Sequence, residues 1–383
     1  MTEHVRVQTS QTERPSGRSF LLDLLKAVGC ILIVLHHLAF YGPMSDVVAR
    51  AWPDLIDWLT QHARLAVQMF LVCSGFLTAQ AMRSMPALSL RTLARASARR
   101  YLRLALPLLA ALGFTVLLSE IIRPSFPHDS LSAVPGWWQA LAHVLFLQHL
   151  LGMEALSAGV WYVAVDFQLY LSALLVAWIA QWLQLQGRGG ALRWQALFIV
   201  LLMLSSITHW THRDVLEDTA LFFWAAYGMG WLAWHSRIHL CLQRRWLMWL
   251  ALGFLCWLFD TRGRALTAWA VASLLACAPV AWLSVQAPNR PWQLVVQWLS
   301  RISYSVFVVH FGVSLLVNYT IGRLWPLSLS MNALGMALAL SLSLLAGDVL
   351  YRLIESRPAT WRRWMVWSAA FMASTGLAMW LAT

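Results

Sequence analysis

Apolar stretches about twenty residues long, divided by short polar loops, recur from Leu21 almost to the last residue. An α-helix rises about 1.5 Å per residue, so about twenty apolar residues cross the hydrocarbon core of a bilayer. The pattern predicts spans near 21–41, 65–82, 104–122, 160–183, 193–208, 218–234, 246–259, 265–285, 296–318, 330–351 and 365–382. The apolar piece from Trp137 to Leu151 is too short to cross comfortably and reads as re-entrant or interfacial. The expected fold is all-α, a polytopic integral membrane protein of about eleven transmembrane helices. Residues 1–19, with Arg6, Arg14 and Arg18, form a polar tail, and 20–383 form a single membrane domain.

The polar positions orient this pattern. Arg83, Arg91, Arg95, Arg99, Arg100 and Arg103 make the densest basic loop, and later basic loops at 235–245 and 352–363 fall on the same side of the predicted spans. Residues 42–64 instead balance Asp46, Asp54 and Asp57 against Arg50 and Arg64. By the positive-inside rule the N-terminus is cytoplasmic and the C-terminus outside, in a plasma membrane such as a bacterial inner membrane. At 60% hydrophobic and 11% charged residues, with mean hydropathy +0.62, a soluble globular domain is excluded. The net charge of +12 does not point to nucleic acid, because the arginines sit in short interspan loops where anionic lipid headgroups are the natural partner. The 24 tryptophans suit interfacial belts, with some left for a pocket lining. The five cysteines form no C-x-x-C pair, and neither a disulfide framework nor a metal site is expected. The first span exceeds a signal-peptide core and is expected to be retained.

Charges within spans are costly and usually line a polar cavity. The first span carries Asp23, Lys26 and His36-His37. Lys26 and His37 are eleven positions apart, almost three whole turns, and therefore share one stripe of the helix, while His36 points about a quarter-turn away. Read alone, His37 is equally a packed, hydrogen-bonded histidine, and Lys26, the one lysine of the chain, a snorkelling anchor. Asp166, in the run Val160 to Tyr170, sits about two turns into its span at a depth close to that of His37. A carboxylate there is able to fix a histidine tautomer or to satisfy a neighbouring arginine or tryptophan. Arg100 and Arg103 share a helix face, as residues three apart do, and suit bidentate phosphate binding as well as ordinary topology marking. Arg301 opens a late span in which Ser303, Tyr304 and Ser305 lead to His310. There is no phosphate loop, no HExxH and no G-x-S-x-G elbow.

These runs carry a resemblance. Lys26 with His37, Phe70-Leu-Val-Cys-Ser-Gly-Phe76, Arg100-Tyr-Leu-Arg103, Trp161 to Tyr170, and Ser303-Tyr-Ser-Val-Phe-Val-Val-His310 resemble, in order, the motifs of the acyltransferase-3 family of membrane O-acyltransferases. The match covers about residues 20–360 and leaves a last helix at about 365–382. Lys26 stands where the family generally has arginine, and Asp166 where it has glutamate. The resemblance implies transfer of an acyl group, acetyl foremost, from cytoplasmic acyl-CoA to a hydroxyl of an envelope or exported carbohydrate. The acceptor would be an exopolysaccharide, a lipopolysaccharide or a lipid-linked glycan. Acyl-CoA is then a co-substrate, and no cofactor is held permanently. It implies His37 as general base or acyl carrier, Asp166 as its orienter, and Lys26 as a cation for the donor. Arg100, Arg103 and Arg301 would grip phosphates, and Ser74, Trp161, Ser303, Tyr304 and His310 would line the pocket. A transporter or flippase using the same buried charges is the alternative, and an inactive scaffold a third reading.

Overall fold

Some of the long helices begin where a polar side chain takes over an orphan backbone N–H. The computed structural model describes residues 19–83, 85, 89–126, 128–260, 262–283 and 290–383. The expected tail with Arg6, Arg14 and Arg18 lies outside them. Ser19 caps α1 (Phe20–Phe40) by accepting from the Leu22 amide. Two short helices, α2 (Pro43–Ala49) and α3 (Pro53–Gln61), lead to α4 (Ala66–Arg83). Ser89 caps α5 (Leu90–Ile122) in the same way. Then come α6 (Trp137–Val144), α7 (Val160–Leu185), α8 (Ala191–Thr208), α9 (Ala220–His239), α10 (Leu242–Phe259) and α11 (Arg264–Cys277). After a single turn, α12 (Val280–Leu283), the chain closes with α13 (Pro291–Leu324), α14 (Leu329–Leu350) and α15 (Trp361–Leu381). Among the described residues none is in a strand.

The protein is an integral membrane protein in which eight of the described helical stretches are long and apolar enough to cross a bilayer: α1, α3 with α4, α5, α7, α8, α13, α14 and α15. The other expected spans are present as the helices α9, α10 and α11, the last of only 14 residues, and do not meet that criterion. Burial sorts the eight. In α13 78% of the apolar window is inside the protein, and in α5 72%, against 22% in α8 and α14 and 17% in α15. A central cage of α1, α4, α5, α7 and α13 is therefore wrapped by helices whose outer faces meet lipid.

Bare backbone sets a close crossing where α4 of that cage meets α9. Gly75 of α4 lies on the Tyr227 carbonyl of α9, and Gly230 of α9 on the Val72 carbonyl of α4, so a Cβ on either would strike backbone. The Tyr227 hydroxyl donates to Thr78 Oγ1 at 2.8 Å and secures the pair. This is the close helix approach that the Ser74-Gly75 run predicts.

The piece from Trp137 to Leu151 enters and leaves on one face. Only Trp137–Val144 is helical, the Ser132 hydroxyl donates to the Ala155 carbonyl at 3.1 Å, and Gln139 Nε2 donates to the Glu154 carbonyl at 2.9 Å. At its deepest point the Tyr101 hydroxyl donates to the Val144 carbonyl at 2.6 Å, and Phe146 turns the chain with a φ of 60°. On the same face the α10–α11 loop meets the α8–α9 loop through Arg262 and Asp214 at 3.0 Å and through an Arg264–Glu217 ion pair. On the opposite, arginine-rich face, Arg237 Nη1 donates to the carbonyls of Leu275, Ala276 and Ala278 and closes the C-terminal end of α11. All five cysteines are free thiols.

Candidate active site

Two cavities open along α1, one toward each face. Lys26 lines the first, of about 560 Å³, on the arginine-rich face; His36 and His37 line the second, of about 500 Å³, on the other. Lys26 and His37 thus line different cavities, about 16 Å apart along the helix axis, and His36 lines the same cavity as His37.

The first cavity is strongly basic. Arg99, Arg100 and Arg103 from α5 and Arg301 from α13 join Lys26 on its wall, against the carboxylates of Asp166 and Glu355. Of the pocket residues expected from the sequence, Ser74, Ser303 and Tyr304 line this cavity, Trp161 lines the second, and His310 is among the lining residues of neither. Arg100 is not one of its open cations. Its Nη2 lies 2.5 Å from Asp166 Oδ2, and the Ser74 hydroxyl donates to Asp166 Oδ1 at 2.6 Å. A charged, nearly inaccessible carboxylate is thus matched by a guanidinium and a hydroxyl, as burial of charge demands. Arg99, Arg103, Arg301 and Lys26 share that wall with the pair. The Tyr304 hydroxyl donates to the Leu104 carbonyl at 2.6 Å, and the Ser303 hydroxyl to the Ser300 carbonyl at 2.9 Å, so both fix helix packing as well as the wall. Glu355 ends a π-helical turn, Tyr351–Glu355, and accepts from the Ser305 hydroxyl at 2.7 Å. Its neighbour Asp348 instead accepts from the Trp298 indole and from Arg352.

Asp166 does not stand beside His37; the partner of His37 is His310. Nδ1 of His37 is 2.6 Å from Nε2 of His310, and the two rings lie at 11° with centroids 4.8 Å apart. His310 Nδ1 faces the carbonyls of Phe307 at 2.8 Å and Val306 at 3.2 Å, which only accept. The network therefore assigns the hydrogens: His310 carries its proton on Nδ1, its Nε2 accepts, and His37 donates from Nδ1. The remaining nitrogen of His37, Nε2, then holds a lone pair and has no protein partner among the described residues. His36 differs. Its Nδ1 faces the Leu59 carbonyl at 3.2 Å, on the other side of α1.

The second cavity sets these imidazoles beside an aromatic wall, an amide and several carboxylates. Trp161 stacks on Phe223 at 5.3 Å and 25° to give a flat apolar wall. Gln68, 5% exposed, presents an amide, and Asp129, Glu154 and Asp218 stand at the rim. Gln68 is absent from the sequence-derived set, although an amide amid the apolar residues of α4 is a legible signal. The ring partners Phe70, Tyr162 and Phe307 are absent from it as well, for lack of any signal beyond core packing.

Comparison with known proteins agrees with these motifs. The family model for the acyltransferase-3 group, described as an acyltransferase domain, matches residues 21–383. A curated protein of Caenorhabditis elegans, regulator of hypoxia-inducible factor 1, is 29% identical over 175 residues, 42% of this chain. The chain spans about a third of that relative's length, 34%. No solved structure matches. The protein thus belongs to the acyltransferase-3 family of membrane acyltransferases.

Proposed function

We propose that the protein moves a short acyl group, acetyl foremost, from acyl-CoA bound on the cytoplasmic side to a hydroxyl of an envelope or exported carbohydrate on the other. The observation that supports this reading most is the pairing of two cavities along one helix, basic at Lys26 and ended by His37. The basic cavity suits the phosphates of a coenzyme, with Arg103, Arg99 and Arg301 as the cations that Asp166 does not occupy. The second cavity suits a sugar, which stacks on a tryptophan face and hydrogen-bonds to amides and carboxylates.

The chemistry is acyl transfer between sulfur and oxygen. The acceptor oxygen attacks the thioester carbonyl carbon, a C–O bond forms, and the C–S bond breaks. The hydroxyl proton passes to Nε2 of His37, while His310 holds Nδ1–H in place and so keeps Nε2 basic. The imidazolium returns that proton to the departing thiolate, which restores the starting state. Asp166, held by Arg100 and Ser74, shapes the donor side without touching the base.

Purified protein in detergent, given acetyl-CoA and a glycan acceptor, is expected to release coenzyme A thiol and to form an acyl ester. No release with any acceptor or with water would refute the reading. In the same assay Arg103→Ala is expected to raise the apparent KM for acetyl-CoA about tenfold, on the scale of one lost charge-assisted phosphate contact, with kcat nearly kept. The orientation is also testable. A cysteine placed at Arg95, on the arginine-rich face, is expected to resist an impermeant thiol reagent added to intact cells, and labelling from outside would reverse the assignment of sides.

A further inference from the structure

Three aromatic rings stand where the two cavities approach each other along α4, α7 and α13. Phe70 of α4, Tyr162 of α7 and Phe307 of α13 line the basic cavity, while their near neighbours Val67, Trp161 and Phe311 line the other. The rings touch pairwise. Centroids are 5.1 Å apart for Tyr162–Phe307, 6.2 Å for Phe70–Tyr162 and 6.4 Å for Phe70–Phe307, all edge-on or tilted. Two glycines press them together. A Cβ on Gly29 of α1 would come within 3.1 Å of Phe70 Cζ, and one on Gly159, at a φ of 80°, within 2.8 Å of Phe307 Cζ. Gly29 lies on α1 between Lys26, which faces one cavity, and Ile33 and His37, which face the other.

We propose that Phe70, Tyr162 and Phe307 form a sieve that limits the cross-section of the acyl group delivered to His37 and keeps the two cavities from joining. This inference rests on the reading of His37 as base and of the basic cavity as donor site. Aromatic rings have few rotamers and here are wedged against glycine backbone, so the gap they leave opens by small ring displacements only. A slender acetyl group on an unbranched arm passes by moving one ring. A branched or aromatic acyl group has to move all three, and close-packed interiors resist such a change of volume.

The test compares acetyl-CoA, isobutyryl-CoA and benzoyl-CoA on the wild-type protein and on Phe70→Ala, Phe307→Ala and the milder Phe70→Leu. The wild type is expected to favour acetyl strongly, and each alanine variant to raise the ratio of benzoyl to acetyl kcat/KM by at least about tenfold. Phe70→Leu is expected to fall between. Unchanged ratios in variants that still transfer acetyl would overturn the sieve. A second readout needs no turnover. Cys73 lines the basic cavity next to this layer. An impermeant thiol reagent supplied on the His37 side of reconstituted protein is expected to spare Cys73 in the wild type and to modify it in the alanine variants. Equal modification in all forms would show that no barrier exists. A wild-type protein inert toward all three thioesters would refute the functional reading and the acyl sieve with it, and the Cys73 result would still decide the barrier.

Discussion

His37→Ala is expected to lower turnover at least about 100-fold, the usual scale of general-base catalysis, whereas His36→Ala costs far less. The comparison is controlled by position. The two histidines are adjacent, line the same cavity and are similarly inaccessible, at 6% and 9% exposure, so loss of hydration affects them alike. They differ in partner. The His37 Nδ1–H points at His310 Nε2, which leaves Nε2 as the basic atom, while His36 addresses the Leu59 carbonyl. His310→Ala removes the lock and keeps the base, so its turnover is expected to lie between the wild type and His37→Ala. His310→Gln, which retains an acceptor, is expected to recover part of the loss. Release of coenzyme A thiol from acetyl-CoA reads all four variants. Equal activity in His36→Ala and His37→Ala would remove His37 from the mechanism.

The second large effect is on stability. Arg100→Ala leaves the Asp166 carboxylate, 4% exposed, without its guanidinium, and breaking a buried pair from one side costs about 3–5 kcal/mol. Asp166→Ala is expected to cost less, near the lower end, because the Arg100 side chain is 28% exposed to the cavity and rehydrates there. The double variant is expected to be more stable than the two single losses added together, since neither charge is then stranded. Thermal unfolding in detergent measures all three. Strict additivity would mean that the pair contributes no coupling. Arg103→Ala, without such a partner among the described ion pairs, is expected to leave the midpoint almost unchanged and to act on donor affinity instead.

Much of this site is legible in the sequence because it lies on single helices. Helical periodicity alone places Lys26 and His37 on one stripe, and in the structure they line different cavities. Depth is legible only in part: Asp166 lies about two turns into its span and reads as level with His37, yet it lines the cavity of Lys26 and Arg100 and not that of His37. The partner of Asp166 is not legible, because that depends on how α4, α5 and α7 rotate against one another, and rotation is fixed by packing at contacts such as Gly75 on Tyr227. The His37–His310 pair joins residues 273 positions apart and follows from the contact of α1 with α13, which no local pattern encodes. The aromatic layer is invisible for a related reason: Phe70, Tyr162 and Phe307 look like any apolar core residues until three helices bring them together. The number of crossings read from hydropathy, eleven, exceeds the eight helical stretches long and apolar enough among the described residues. The difference lies in α9 to α11, where basic ends and a 14-residue helix dilute the apolar signal.

The re-entrant segment imposes an order on assembly. Its deepest carbonyl, at Val144, is held by the Tyr101 hydroxyl, and that hydroxyl accepts in turn from the Trp364 indole at 2.9 Å. At its outer end the Trp137 ring lies on Gly376. Trp364 and Gly376 both belong to α15, which follows the segment by more than 200 residues. Until that helix is in place the segment has Tyr101 of α5 against Val144 but lacks the Trp364 and Gly376 contacts, and its remaining turn carbonyls are better served by water at the bilayer surface than by hydrocarbon. The wall that bounds the second cavity near Glu154 and Ser157 is therefore completed only once α15 has packed against this segment.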